Sequence, residues 1–178
     1  ELLPFLEQYM SNPDTNTRPL VIIAEEFSNE IIRSIILNKV QGRLPYICCV
    51  KAPGFGKNKS EMLIDVSSYI GSKTISKELG MDIREATIND LGTCDKIKIS
   101  KDTSVLLGGR GDKSNVIIRI NQIKSLIDQS KANYDKEKYN ERISKLTGGV
   151  AVIAIGASTD TELKEKKHRY EDALSATR

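Results

Sequence analysis

The sequence has few of the residues that most often carry metal, redox or base-stacking chemistry. Its 178 residues include no tryptophan, one histidine and three cysteines, and aromatic residues make up 5% of the chain. A surface that stacks nucleic-acid bases needs aromatic side chains. A structural zinc site needs about four Cys or His ligands close together. The sequence therefore argues against both kinds of site.

Long apolar runs and an excess of one charge sign are also missing. No apolar run approaches the roughly 20 residues of a membrane-spanning helix, and the first residues carry no basic segment typical of a signal peptide. Lys and Arg total 27 against 24 Asp and Glu, and the two signs are interleaved along the chain. We therefore expect neither a membrane partner nor a nucleic-acid partner.

The three cysteines do not form an obvious disulfide framework. Cys48 and Cys49 are adjacent in an apolar run, and Cys94 stands alone. Neighbours in one strand point to opposite faces of a sheet, so they do not easily bridge. We expect three small, buried thiols in a reducing compartment.

Apolar strands alternate with helical patterns along the chain, which predicts an α/β fold. The predicted strands cover residues 20–24, 46–51, 96–100, 103–107 and 150–155, with a short one at 74–76. The predicted helices cover residues 1–10, 28–40, 57–70, 112–132, 134–146 and 159–178, with helical turns at 77–80 and 87–91. The last helix has few apolar residues, so we expect it to leave the domain as a stalk.

The helix after the first strand carries more apolar surface than one core can bury. Ser28 is placed to cap it, and at about 100° per residue Ile31 and Ile35 lie on a different side from Ile32 and Ile36. With Leu37 and Val40 the apolar arc reaches about 240°, whereas a surface helix needs a little over 100°. The helix at 1–10 is also apolar on more than one side. Such helices either pack on two sides or bind an apolar partner.

No catalytic group is complete in the sequence. Gly54-Phe55-Gly56-Lys57 lacks two residues of a phosphate loop, because Lys51 and Asn58 stand where glycine and Ser or Thr are needed. A structural turn is the better interpretation. His168 and the carboxylate pair Glu171-Asp172 are expected to be solvated side chains of the last helix.

Several motifs occur in a fixed order from one end of the chain to the other. They are PLVIIAE at 19–25, VKAPGFG at 50–56, DLG at 90–92, KDT at 101–103, YDKEK at 134–138, ER at 141–142, GGVAVI at 148–153, EKK at 165–167 and DALSATR at 172–178. With these motifs the chain resembles the group I chaperonins, the GroEL-like family.

This resemblance implies a mixed sheet flanked by helices. Residues 1–149 would be an N-terminally truncated apical domain, and residues 150–178 an exit strand and the descending helix of the intermediate domain. The full-length parent would be an ATPase using ATP and Mg²⁺, assembled with sister subunits in a ring. The family's equatorial ATP-binding domain lies outside these residues, so we expect no enzyme activity and no cofactor here. The bacterial cytosol, the mitochondrial matrix and the plastid stroma all fit, and secretion does not.

The resemblance also assigns roles to individual residues. A groove for non-native polypeptides and for the mobile loop of a co-chaperonin would contain these residues: Leu3, Leu6, Glu30, Ile32, Ile36, Leu37 and Asn38. Asp172 would assist ATP hydrolysis in the parent. From the residues alone Gly148-Gly149 is better explained as a helix end, but the resemblance makes it a hinge between domains.

Two other functions are compatible with the sequence. The chain could be an architectural module whose apolar helices pack on a neighbouring subunit and bind no client. It could also be a self-sufficient α/β enzyme.

The sequence departs from the family at Arg33, where small residues are usual, at Asp160, where many members have Glu, and in a longer polar loop at 11–18.

Overall fold

A computed structural model describes residues 2–54, 56–76, 80–101, 103–148 and 153–177. These residues form a mixed α/β fold with six α-helices and two small sheets. The elements, in chain order, are α1 (Leu3–Ser11), β1 (Leu20–Ala24), α2 (Asn29–Val40), β2 (Ile47–Lys51), α3 (Lys57–Ile70), β3 (Cys94–Ile99), β4 (Ser104–Gly109), α4 (Lys113–Gln129), α5 (Asn133–Thr147) and α6 (Asp160–Ala176).

The first sheet is a parallel pair made by β1 and β2, with α2 as the crossover between them. The Ser28 hydroxyl caps α2 by accepting a hydrogen bond from the Ile31 N–H at 3.3 Å. Gly42 follows the helix with φ of 72°, a left-handed conformation that glycine adopts without a steric penalty. The predictions of a strand at 20–24 and of a helix capped by Ser28 are confirmed.

The second sheet is an antiparallel hairpin of β3 and β4, in which Ile97 pairs with Leu106. The predicted pairing is confirmed, but β3 begins at Cys94 and β4 continues to Gly109, beyond the predicted ends. Among the described residues the strands thus form two separate sheets rather than one mixed sheet.

Four local predictions fail or fall outside the described residues. Residues 74–76 form no strand, and the Thr74 hydroxyl donates a hydrogen bond to the Ser67 Oγ of α3 at 2.7 Å. The helix α4 ends at Gln129 instead of residue 132, where the Ser130 N–H donates back to the carbonyls of Leu126 and Ile127. Most of the turn predicted at 77–80 and the first part of the strand predicted at 150–155 lie outside the described residues, and 153–155 form no strand.

The main hydrophobic core joins α1 to the βαβ unit. Its buried members come from α1, β1, α2 and β2 and their flanks: Leu2, Phe5, Leu6, Tyr9, Leu20, Ile35, Leu44 and Ile47. Each such side chain contributes on the order of 1.5–3 kcal/mol by leaving water. The Tyr9 hydroxyl also donates to the Arg18 carbonyl at 2.8 Å, which ties the loop before β1 to α1.

A group of four charged side chains, two of them buried and two partly buried, holds α3, α4 and α5 together. We call Glu61, Asp65, Arg119 and Arg142 the three-helix ion cluster. The two oxygens of Asp65 accept from the Nε of Arg119 and from the Nε of Arg142, each at 2.7 Å. Burial by itself would lower the pKa of the Arg142 guanidinium, but hydrogen bonds and charges from Asp65 and Glu61 outweigh it and raise that pKa.

A capped turn before β3 contains a carboxylate with a strongly lowered pKa. Asp90 accepts hydrogen bonds from the N–H and hydroxyl of Thr87, both at 2.9 Å, and pairs with the Lys73 ammonium at 2.6 Å. The bond from Lys73 and those from Thr87 lower the pKa of Asp90 to about 2. This turn confirms the capped turn predicted at 87–91.

The lowered pKa of Asp90 predicts a pH-dependent contribution to stability. An unfolded aspartate titrates near about 3.9, so the contribution should be complete above about pH 4 and disappear as pH falls toward 2. We expect Asp90→Asn to be less stable than the original chain at pH 5, with the difference shrinking between pH 4 and 2. Urea unfolding at pH 5, 3 and 2 measures this, and a pH-independent difference would contradict it.

The chain divides into two compact units, Glu1–Gly148 and Gly149–Arg178. In the second unit the Thr159 hydroxyl caps α6 by accepting from the Glu162 N–H. Three ion pairs then run along α6 at a spacing of four residues, Lys166–Glu162, Arg169–Glu165 and Lys167–Glu171. Within the described ranges, no helix is both long enough and apolar enough to cross a membrane.

Candidate functional site

The helix α2 has two apolar faces that differ sharply in exposure. Ile35 is 7% exposed and Ile31 is partly buried, and both pack on the main core. Ile36, the next residue along, is 56% exposed. Ile36 and its exposed apolar neighbours on the helix form what we call the outer face of α2, which consists of Ile32, Ile36, Leu37 and Val40. At about 100° per residue these four side chains cover roughly 140° of the helix surface.

The polar residues around the outer face have different positions. Glu30 is exposed in the first turn of α2, where a negative charge suits the helix dipole. Arg33 is exposed within the apolar arc. Asn38 is on the opposite side: its Nδ2 donates to the Ser34 carbonyl at 2.8 Å, and its backbone carbonyl accepts from the residues that close the helix. Asn38 therefore does not border the outer face, although the sequence predicted it among the groove residues.

The helix α1 contributes much less exposed apolar surface than the sequence predicts. Leu3 is 58% exposed, but Leu6 is 6% exposed and packs in the main core. Leu2, Phe5, Leu6 and Tyr9 are all buried, and they lie within about 100° of one another on the helix. The placement of Leu6 in an open groove is corrected accordingly, because its side chain is part of the core. Of the two α1 residues assigned to the groove, only Leu3 is available to a partner.

Sequence reasoning left one exposed residue out of the assigned site. Val40 is the most exposed of the large apolar side chains of α2. The signal was present, since Val40 lies four residues after Ile36 and therefore on the same side of the helix. The family motifs did not extend to it.

The predicted hinge and the predicted ATPase carboxylate are outside this surface. Gly148 ends α5, and its N–H donates to the Ser144 carbonyl at 2.7 Å. A Cβ at Gly148 would lie 2.5 Å from that carbonyl oxygen, which explains a glycine there without a hinge. Gly149 lies outside the described residues. The Asp172 carboxylate is exposed on α6.

Among the residues that the structure describes, the titratable and sulfur-bearing groups give no second candidate site. All three cysteines are free thiols of intermediate exposure, and burial raises the pKa of the Cys49 and Cys94 thiols. In the part of the chain that the structure describes, no group of three or more His, Cys, Asp or Glu side chains is arranged to hold a metal ion. The outer face of α2 is therefore the strongest candidate for a binding site.

Comparison of the sequence with models of known protein families finds no match. The relation of this chain to the chaperonins therefore rests on the motifs quoted above and stays a prediction.

Proposed function

We propose that this chain is the polypeptide-binding part of an ATP-dependent chaperonin, with an apical-domain-like fold at 1–149. In this proposal the chain binds non-native proteins and the mobile loop of a co-chaperonin, and it assists folding as part of a ring. The observation that carries the proposal is the outer face of α2, together with Leu3. Large apolar side chains stand in solvent on one helix while the other face of that helix is packed in the core.

The chemistry of the outer face suits a partner of variable sequence. Burial of apolar area is not directional, so Leu, Ile, Val or Phe side chains of many partners can fill the same surface. Each buried side chain contributes on the order of 1.5–3 kcal/mol before the entropy cost of association. Folded proteins keep most such residues inside, so the surface would select non-native chains.

The remaining parts of the proposal concern the full-length parent. ATP and Mg²⁺ would bind in an equatorial domain outside these residues, and Asp172 would take part in hydrolysis there. Gly148 and Gly149 would form a hinge that moves the polypeptide-binding part. Sister subunits would place several outer faces around one opening, which raises the affinity for a long unfolded chain by multivalency.

The proposal predicts a loss of client binding when charge is placed on the exposed surface. We expect the double variant Leu3→Glu and Ile36→Glu to bind a fluorescently labelled, denatured protein about ten- to hundredfold more weakly, because two apolar contacts are lost and carboxylates must be desolvated. Leu6 is left unchanged, since a charge in the core would unfold the chain. Fluorescence anisotropy measures the affinity.

The control is the double variant Ile117→Glu and Ile118→Glu, which places the same two charges on isoleucines of α4 that are 57% and 55% exposed, close to the 58% of Leu3 and the 56% of Ile36. Its binding should stay within about twofold of the original chain. Equal losses in both variants, or no loss in either, would refute a specific role for the outer face of α2.

The alternative function is an architectural module whose outer face packs on a neighbouring subunit and binds no client. The same exposed side chains favour it. A dye that fluoresces on exposed apolar surface distinguishes the two, because an isolated binding module gives a signal that Ile36→Glu reduces.

Titration with ATP in a calorimeter tests the enzyme alternative: heat of binding to the 178-residue chain would contradict the proposed division of functions.

A further inference from the structure

A positively charged side chain stands inside the outer face of α2. At about 100° per residue, and counting from Ile32, Arg33 lies at about 100°, between Val40 at about 80° and Leu37 at about 140°. All four side chains are exposed. Arg33 is therefore part of the same surface as these apolar side chains, and a segment that covers them also covers the guanidinium group.

Arg33 forms no ion pair with any residue that the structure describes. Residues three or four positions away are its neighbours on the helix surface. Three of these four positions hold Asn29, Ile36 and Leu37, which carry no charge, and the fourth holds Glu30. Along α6, by contrast, three cations pair with glutamates four positions away. The charge of Arg33 is therefore available to a partner.

The other two charges of α2 lie outside the apolar arc. Glu30 is at about 160°, beyond Leu37, and a carboxylate in the first turn is stabilised by the helix dipole. Lys39 is at about −20°, beyond Ile32, and its Nζ donates to the Ile47 carbonyl at 3.5 Å, so its charged end is directed toward β2. Within the arc itself, α2 thus presents a positive charge and no negative one.

We propose that the outer face of α2 prefers non-native segments that carry a carboxylate among their apolar side chains, with Arg33 as the residue that determines this specificity. The inference rests on the proposed function, because it names the class of segment that the same face binds. A guanidinium group can donate two parallel hydrogen bonds to one carboxylate. Apolar side chains that pack on both sides of this pair exclude water and strengthen it.

Arg33 also acts against segments that lack a carboxylate. A wholly apolar segment that covers the outer face removes water from the guanidinium group and offers no acceptor in return, which is unfavourable. A segment with lysine at the same place adds repulsion between like charges. Specificity of this kind comes from the penalty on the wrong partners as well as from the attraction of the right one.

The test uses three fluorescently labelled peptides of about twelve residues that place leucines at helical spacing. They are identical except for one central residue, which is glutamate, glutamine or lysine. We expect the original chain to bind the glutamate peptide about three- to fivefold more tightly than the glutamine peptide, and the lysine peptide more weakly than either. Fluorescence anisotropy measures the three affinities, and high salt should reduce the differences.

Two substitutions of Arg33 test whether it causes the preference. With Arg33→Gln the ratio of the affinities for the glutamate and glutamine peptides should fall to about one, and with Arg33→Glu the lysine peptide should bind most tightly. The control is Arg43→Gln, which removes another exposed cation just after α2 that forms no ion pair among the described residues. This control changes the net charge equally and should leave the ratio unchanged.

The outcomes separate this inference from the proposed function. If the original chain binds the glutamate and glutamine peptides equally, and Ile36→Ala weakens both, the preference is overturned while the proposed function stands. An equal fall of the ratio in Arg33→Gln and Arg43→Gln would assign the preference to net charge and also overturn it. If no peptide binds at millimolar concentration, or if Ile36→Ala weakens none of them, both the proposed function and this inference are overturned.

Discussion

Replacing Asp65 with alanine is expected to lower the free energy of unfolding by about 3–5 kcal/mol, because a buried ion pair that loses one partner leaves an uncompensated charge. Asp65 accepts hydrogen bonds from both Arg119 and Arg142 in the three-helix ion cluster. Both guanidinium groups are largely buried. Without Asp65 only Glu61 remains to balance two positive charges between α3, α4 and α5.

Urea unfolding of the two chains measures this loss, and Glu141→Ala is the control. Glu141 pairs with Lys138 and Lys145 on the exposed side of α5. Exposed pairs contribute about 0–1 kcal/mol, so its removal should have a small effect. The difference between the variants should persist at high salt, because buried charges are screened much less than exposed ones. Similar effects of the two substitutions would show that the cluster does not hold the three helices together.

Ile35→Ala is expected to lower the free energy of unfolding by about 2–5 kcal/mol, whereas Ile36→Ala should change it by no more than about 0.5 kcal/mol. The two residues are neighbours with the same side chain, but Ile35 is buried in the main core and Ile36 is exposed. Truncating Ile35 removes apolar groups that folding moves from water into the core, and it leaves a cavity there. Truncating Ile36 changes only contact with solvent.

Chemical denaturation followed by circular dichroism measures both values. For client binding, the proposed function predicts the reverse ranking of the two substitutions. Ile36→Ala should weaken binding, whereas the folded fraction of Ile35→Ala should bind normally. Equal destabilisation by the two substitutions would mean that α2 does not have one packed face and one free face.

Much of the fold could be predicted from local sequence patterns. The apolar run of β1, the Ser28 cap and the helical spacing of α2 are local signals, and each matches the structure. The two faces of α2 also follow from spacing alone, because the apolar arc was too wide for one core. Which of the two faces is buried does not follow from spacing, since it depends on where β1 and β2 lie.

The rest depends on contacts between distant residues. Asp65 and Arg142 are 77 positions apart, so no local pattern indicates their ion pair. Charged residues in amphipathic helices are usually solvated, which makes a buried cluster unexpected. Leu6 was misplaced for the same reason, because the core that covers it is built from β1, α2 and β2.

The outer face of α2 is proposed to contact non-native polypeptide. A photoreactive side chain placed at Ile36 tests it most directly, with the same group at Ile117 as the control of equal exposure. Illumination in the presence of a denatured protein should give a cross-linked product from position 36 and little from position 117. A native form of the same protein should give none. Equal cross-linking at the two positions, or none at position 36, would contradict the account.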